Sequence, residues 1–258
     1  MILNRLGNKA RIAKDIIPHF PPHRTFIDMF FGAGGIFFHK PQADYNFCND
    51  IDDDVFNLWK VLQSDKEELV KQIELMPYND SLFNYWKANK ETEPVMKAVR
   101  FLMLSNFGYM GTPDTMHLNL GNRRRSILSK IDSAFMHLSK CTMLCADFRL
   151  VLAKIAFRRE EERSLAFIYA DPPYLSTKNN YSQGFTEQDT QDLFKILVES
   201  NIRFALSEFD NPIILDLASD YGLNVIEIGE RNNMKNRRTE ILVTNYKKQQ
   251  LGLFDIGA

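Results

Sequence analysis

Apolar residues along this chain fall into two periods. Short apolar runs bounded by turn residues occur at 25–30, 45–49, 142–146, 165–170, 203–207, 224–228 and 240–246, and each predicts a strand. Between them the spacing changes to that of helices, as in residues 52–63, where Val55, Leu58, Trp59 and Leu62 share one face. Helical spacing also covers 66–75, 81–88, 94–106, 126–140, 187–200 and 212–221, with a short helix start after Gly35 and another from Phe148. From about 65 to 140 strand signals vanish, and 108–125 is irregular and rich in Gly, Asn, Thr and Arg. The fold class is therefore α/β: an alternating, mostly parallel sheet interrupted by a helical insertion. The last two strands have no helix between them, which predicts an antiparallel hairpin at the sheet edge.

Composition narrows this picture little. The 258 residues are 45% hydrophobic and 25% charged, as in a soluble globular domain. No stretch is apolar for long enough to span a bilayer, and the N-terminus lacks a signal-peptide core, so an intracellular, cytoplasmic location is expected. Cys48, Cys141 and Cys145 make no zinc pattern, and no metal site is expected. A net charge of −1 leaves a nucleic-acid partner open, because local patches decide binding. Basic residues do cluster at Arg123-Arg124-Arg125, at Arg158-Arg159, and between Arg231 and Arg238, where Lys235 and Arg237 lie.

The chemistry concentrates where strands end. The run Leu165-Ala166-Phe167-Ile168-Tyr169-Ala170 reads as a buried parallel strand and leads into Asp171-Pro172-Pro173-Tyr174. Reactive groups gather at the carboxyl ends of such strands. The prolines lack N–H donors, so the loop is stiff and offers carbonyl acceptors beside a carboxylate. That combination suits gripping an exocyclic amino group, and Tyr174 adds a stacking face; a solvated aspartate at a strand exit is the plainer alternative. The first strand runs into Phe31-Gly32-Ala33-Gly34-Gly35, a turn that lets backbone approach a ligand. Asp50, at the end of the second strand, is placed to accept from ribose hydroxyls. The pattern resembles dinucleotide binding but lacks the third glycine of that motif, so the ligand need carry no pyrophosphate. S-adenosylmethionine, with its ribose, adenine and zwitterionic tail, meets the description.

Taken together, the chain resembles the Dam-type (class alpha, D12) DNA adenine-N6 methyltransferases. The resemblance rests on Gly7-Asn8-Lys9, on Asp28-Met29-Phe30-Phe31-Gly32-Ala33-Gly34, on Asn49-Asp50, on Ala146-Asp147-Phe148, on Asp171 to Tyr174 and on Glu240-Ile241-Leu242-Val243-Thr244-Asn245. It implies a Rossmann-like S-adenosylmethionine-dependent sheet built from residues 1–52 and 141–258, with 53–140 as a helical target-recognition insertion. Arg5, Lys9, Asp28, Gly32, Gly34, Asp50, Asp147, Phe148 and Asp171 then fall in or beside the cofactor site. Arg5 stands where the family usually has an aromatic residue. Asp50 would hold the ribose, and Asp147 would accept from the adenine amino group with Phe148 against the ring.

Asp171 and the Pro172 carbonyl would accept from the target N6 hydrogens, and Tyr174 would stack on the flipped base. Asn119, Asn122, Arg123, Arg124 and Arg125 are the DNA-contacting candidates, with double-stranded DNA as the partner. The resemblance also implies a bacterial or phage-encoded enzyme, and it leaves the target sequence open. Cytosine-N4 methylation and a catalytically silent DNA-binding relative are the competing readings. The tail Gln250-Leu251-Gly252-Leu253-Phe254 resembles peptides that dock on bacterial sliding clamps; folding back on its own sheet is the alternative.

Overall fold

The computed structural model describes residues 1–117, 122–175, 184–232 and 237–247. Among them seven strands form one sheet: β1 (Thr25–Asp28), β2 (Tyr45–Asn49), β3 (Cys141–Leu144), β4 (Ala166–Ala170), β5 (Arg203–Phe209), β6 (Asn224–Asn232) and β7 (Arg237–Thr244). Their order in space is β3-β2-β1-β4-β5-β7-β6. The first five pair in parallel, and β7 inserts antiparallel between β5 and β6. The chain lays strands down in one direction from β1 to β3, then restarts beside β1 with β4. The gap between β1 and β4 is thus the topological switch point, where open α/β sheets hold their ligands.

Ten α-helices accompany the sheet among the described residues. Before β3 they are α1 (Ala13–Ile16), α2 (Asp53–Ser64), α3 (Lys66–Leu75), α4 (Asp80–Ala88), α5 (Pro94–Phe107) and α6 (Arg123–Leu138). After it come α7 (Phe148–Val151), α8 (Glu160–Ser164), α9 (Glu187–Glu199) and α10 (Pro212–Asp220). The strand period of two decides which residues meet them. Phe26, Phe167 and Tyr169 face one core with side chains from α1, α2, α3, α5 and α6. Ile27, Ile168 and Ala170 face the other, with Leu193, Phe194 and Leu197 of α9 and Ile214 and Ala218 of α10. All five residues of β4 are buried, as a strand covered on both faces requires. Among the described residues no helix is long and apolar enough to cross a membrane.

Besides the short helices α1 and α8, which the spacing did not mark, three departures from the sequence-based elements stand out. Residues 36–39 make hydrogen-bonded turns rather than a regular helix. Helix α6 begins at Arg123, not 126, because Asn122 Oδ1 caps it by accepting from the Arg125 N–H at 2.9 Å. The three arginines therefore form the first turn of a helix instead of a loop. Strands β6 and β7 also run further toward their connection than 224–228 and 240–246 suggest, past a bulge between Glu227 and Gly229.

One buried side chain locks the sheet end that carries the site. Asn49, last in β2, donates from Nδ2 to Met29 O (3.1 Å) and Ala146 O (2.9 Å), and its Oδ1 accepts from Ala146 N (3.0 Å). Met29 follows β1 and Ala146 follows β3, so one amide ties three strand exits. Asn49→Ala leaves three buried backbone groups unsatisfied and is expected to destabilise the protein by about 2–4 kcal/mol. Denaturant unfolding checks this: the midpoint should fall with the slope unchanged.

Candidate active site

The carboxyl ends of β1, β2, β3 and β4 open into a pocket of about 1060 Å³, part of it continuous with solvent. Asp28, Asp50, Asp147 and Asp171 line it, one from each strand exit. The N-terminal segment Arg5–Lys9 forms part of its wall. Gly32, Phe148 and Pro173 are also on the wall, together with Asp189 at the start of α9.

The glycine turn does two jobs. Gly32 (φ +51°) faces the pocket with nothing near where a side chain would start, and its N–H donates to Asp50 Oδ2 at 2.7 Å. Asp50 Oδ1 accepts from Asp52 N at 2.9 Å, so the acid predicted to hold a ribose also fixes the turn beside it. Gly34 (φ +70°) is not on the pocket wall: a Cβ there would run into the Phe38 and Phe31 rings. Its absent side chain serves packing rather than ligand approach. A Cβ on Gly35 would meet Lys9 N at 2.8 Å and Ala10 N at 2.9 Å, so this glycine lets the N-terminal segment lie on the turn.

That close approach buries Lys9, which is 3% exposed. Its Nζ donates to Asp171 Oδ1 at 2.5 Å, lies 3.7 Å from Glu240 Oε1, and stands 4.4 Å from the centre of the Tyr174 ring. Arg5 pairs with Asp52 at 2.8 Å, at the cap of α2.

Tyr174 is not among the residues that line the pocket, and Pro172 is buried. The Tyr174 hydroxyl donates to Glu240 Oε1 and lies 3.2 Å from Ser207 Oγ, and Phe209 meets the ring edge to face. Burial, then the Asp171 and Glu240 charges, push its phenol well above the usual range, which keeps it a donor. The phenol thus has a buried structural duty that a reading of Tyr174 as a stacking face alone does not contain.

At the other end, Phe148 packs with Phe30 and Phe185, ring centres 5.7 and 5.8 Å away, to form an apolar wall. Asp147 caps α7 by accepting from Arg149 N. The Arg149 guanidinium lies over the Phe148 ring at 4.4 Å and bridges Asp147, Asp189 and Asp192. These partners, Asp189 foremost, raise the Arg149 pKa, so its charge is permanent.

Six carboxylates line the pocket against three cations, Arg5, Lys9 and Arg149. Asp28 is 2% exposed and its Oδ1 has no hydrogen-bond partner among the described residues. Burial, with Asp171 nearby, drives its pKa well up; burial also raises Asp50. A buried acceptor without a donor, in a field this negative, suits a ligand that brings positive charge. Among the described residues no group of three or more His, Cys, Asp or Glu is placed to hold a metal ion.

The arginine cluster is positioned differently from the sequence-based expectation. Arg123 donates to Asn106 O, and Arg124 donates to Glu74 O and Met76 O while its guanidinium covers the Tyr78 ring. These two hold the helical layer together; Arg125 is exposed, and Asn122 is engaged as the cap. Asn119, Lys235 and the tail 250–254 lie outside the described residues, as does most of the polar loop 176–184. Sequence reasoning assigned no role to Arg149, Ser207 or Glu208, and took Asn49 and Glu240 only as parts of motifs. A carboxylate inside an apolar strand run, as at Glu208 and Glu240, was the available signal.

Comparisons with known proteins bear on what this site does. A family model described as D12 class N6 adenine-specific DNA methyltransferase matches residues 6–234. A DNA adenine methylase of Vibrio cholerae is 24% identical, over 86% of this chain and 85% of its own length. The Retron Ec67 DNA adenine methylase of Escherichia coli is 28% identical, over 76% of this chain and 71% of its own. Modification methylase StsI of Streptococcus sanguinis is 26% identical over 98% of this chain, which spans only 44% of that relative.

Glu208 gives the site a signature in stability against pH. It is 2% exposed, and burial raises its pKa from 4.5 to about 8, although the N–H groups of Leu175 and Phe209 donate to it. Between those values the unfolded chain has lost this proton and the folded chain has kept it. Stability from this group is therefore lost as pH rises from about 4.5 to about 8. Glu208→Gln should flatten that part of the curve of unfolding free energy against pH.

Proposed function

The chain belongs to the D12 class N6 adenine-specific DNA methyltransferase family, and from that premise we propose that it methylates N6 of adenine in double-stranded DNA, with the pocket at the switch point holding S-adenosylmethionine. The observation that carries this reading is the position of Asp171. Its carboxylate leaves the central strand into a rigid Pro-Pro loop and lines the same pocket as Asp50 and the glycine turn.

The pocket's chemistry fits the donor. S-adenosylmethionine, when bound, supplies an electrophilic methyl group on a sulfonium. The unpartnered Oδ1 of Asp28 and the surplus of carboxylates suit its positive charges. Gly32 and Asp50 would meet the ribose, and Asp147, with Phe148, the adenine; Lys9 and Arg5 also line the pocket.

The target adenine must leave the duplex, at a cost of roughly a few kcal/mol. Asp171 and the Pro172 carbonyl accept from its amino group, which localises the N6 lone pair and aims it at the methyl carbon. As the N–C bond forms and the C–S bond breaks, the surplus N6 proton passes to Asp171 or to water. Positioning and fixed charge supply most of the acceleration. Target reading is assigned to the helical segment 53–140, with Arg125 and Asn119 as its contacts. The tail 250–254 is the candidate for a sliding clamp.

Three outcomes test the reading. Incubation with labelled S-adenosylmethionine and unmethylated DNA, then digestion, should yield N6-methyladenine; N4-methylcytosine would overturn the base assignment. Asp171→Ala should abolish turnover while cofactor still binds, and substantial residual activity would remove Asp171 from the mechanism. A clamp pull-down should retain the full chain and lose one ending at Gln249.

A further inference from the structure

Lys9 presents an electrostatic problem that the proposed chemistry makes acute. Its buried ammonium needs a carboxylate at contact, because an uncompensated buried charge is strongly destabilising. In this structure the contact is Asp171 Oδ1, at 2.5 Å. Asp171 is also the group that must accept from the target amine, so the amine and the ammonium compete for one carboxylate.

A second carboxylate is already in place. Glu240 is 1% exposed, on β7 beside β5, and its Oε1 stands 3.7 Å from Lys9 Nζ. It is anchored without Lys9: Ser207 Oγ donates to it at 2.6 Å, and the Tyr174 hydroxyl donates to the same oxygen. Glu240 is therefore fixed by the sheet, whereas Lys9 carries its charge on a flexible four-carbon stem. Reaching normal hydrogen-bond length from 3.7 Å takes a shift of about 1 Å.

Resting on the adenine-methylation reading, we propose that Glu240 is a positioning residue: it takes the Lys9 ammonium over from Asp171 as the target amine arrives, so that Asp171 turns to the substrate while Lys9 stays neutralised. Tyr174 belongs to the same device, since its hydroxyl holds Glu240 and its ring lies beside the ammonium.

The sharing is testable without substrate. Thermal midpoints of the full-length, DNA-free protein would be measured for Asp171→Asn, Glu240→Gln and the double variant, each with Lys9 and with Lys9→Met. With Lys9 present, the double variant should lose several degrees more than its two single variants combined. That excess should vanish with Lys9→Met. Additive losses in both backgrounds would overturn the shared ammonium. If Glu240→Gln does not fold, Glu240→Asp takes its place: its shorter reach leaves Lys9 less well compensated, so the excess loss should shrink yet still vanish with Lys9→Met.

The positioning role has its own readout. Glu240→Gln should lower kcat by about 10- to 100-fold, the rate equivalent of one charge-assisted hydrogen bond, with cofactor affinity unchanged. Glu240→Asp should recover part of that loss. Unchanged kcat with weakened cofactor binding would overturn the role. Failure of the wild-type protein to methylate adenine would instead refute the parent reading, and the thermal result would stand apart from it.

Discussion

One buried ammonium, that of Lys9, joins parts of the molecule that the sheet alone does not connect. Through it the N-terminal segment meets the exit of β4 and the middle of β7. The glycine turn is shaped to allow this, because any side chain on Gly35 would strike the backbone of Lys9 and Ala10. With Lys9 seated, residues 5–9 become a wall of the pocket instead of a solvated leader. The glycines after β1 thus serve three surfaces: Gly32 the ligand space, Gly34 the Phe31 and Phe38 rings, and Gly35 the segment that carries the lysine.

The electrostatics of the pocket follow from where the strands end. Parallel strands deliver their exits to one rim, and four of those exits carry aspartates. Burial makes the ionised forms costly, which is why Asp28, Asp50 and Glu208 all shift upward, with neighbouring Asp171 adding to it at Asp28. A ligand that brings positive charge would relieve that cost, so the cost itself and the pocket's preference for such a ligand have one origin. Arg149 completes the frame at the far end by binding Asp147 to the start of α9.

Much of this was legible in the sequence, because burial imposes period two on strands and a period near 3.6 on helices. The run 165–170 marked a doubly covered strand, and Asp50 and Asp171 stood out as carboxylates at strand ends. The D12 resemblance proved to be family membership. What stayed hidden depends on contacts between distant residues. Arg123 and Arg124 look like DNA contacts until carbonyls from α5 and from the end of α3 are seen to occupy them. The hydroxyl of Tyr174 has no evident partner until β5 and β7 bring Ser207 and Glu240 beneath it. The start of α6 escaped notice because an asparagine cap outweighs three arginines in an unfavourable first turn.

The distance along the chain between Lys9 and its partners has a consequence for biosynthesis. Lys9 and Asp171 are 162 residues apart, and Glu240 is later still. A chain growing from its N-terminus makes the glycine turn and Asp50 early, yet holds a lysine with nowhere to bury its charge. The helical layer and β3 are synthesised before β4 supplies the first carboxylate, and the second arrives only with β7. Ribosomal order therefore makes the glycine turn and Asp50 before Asp171. The second carboxylate sits on the strand that lies between β5 and β6 in the sheet, so Lys9 has both partners only once β7 has been made.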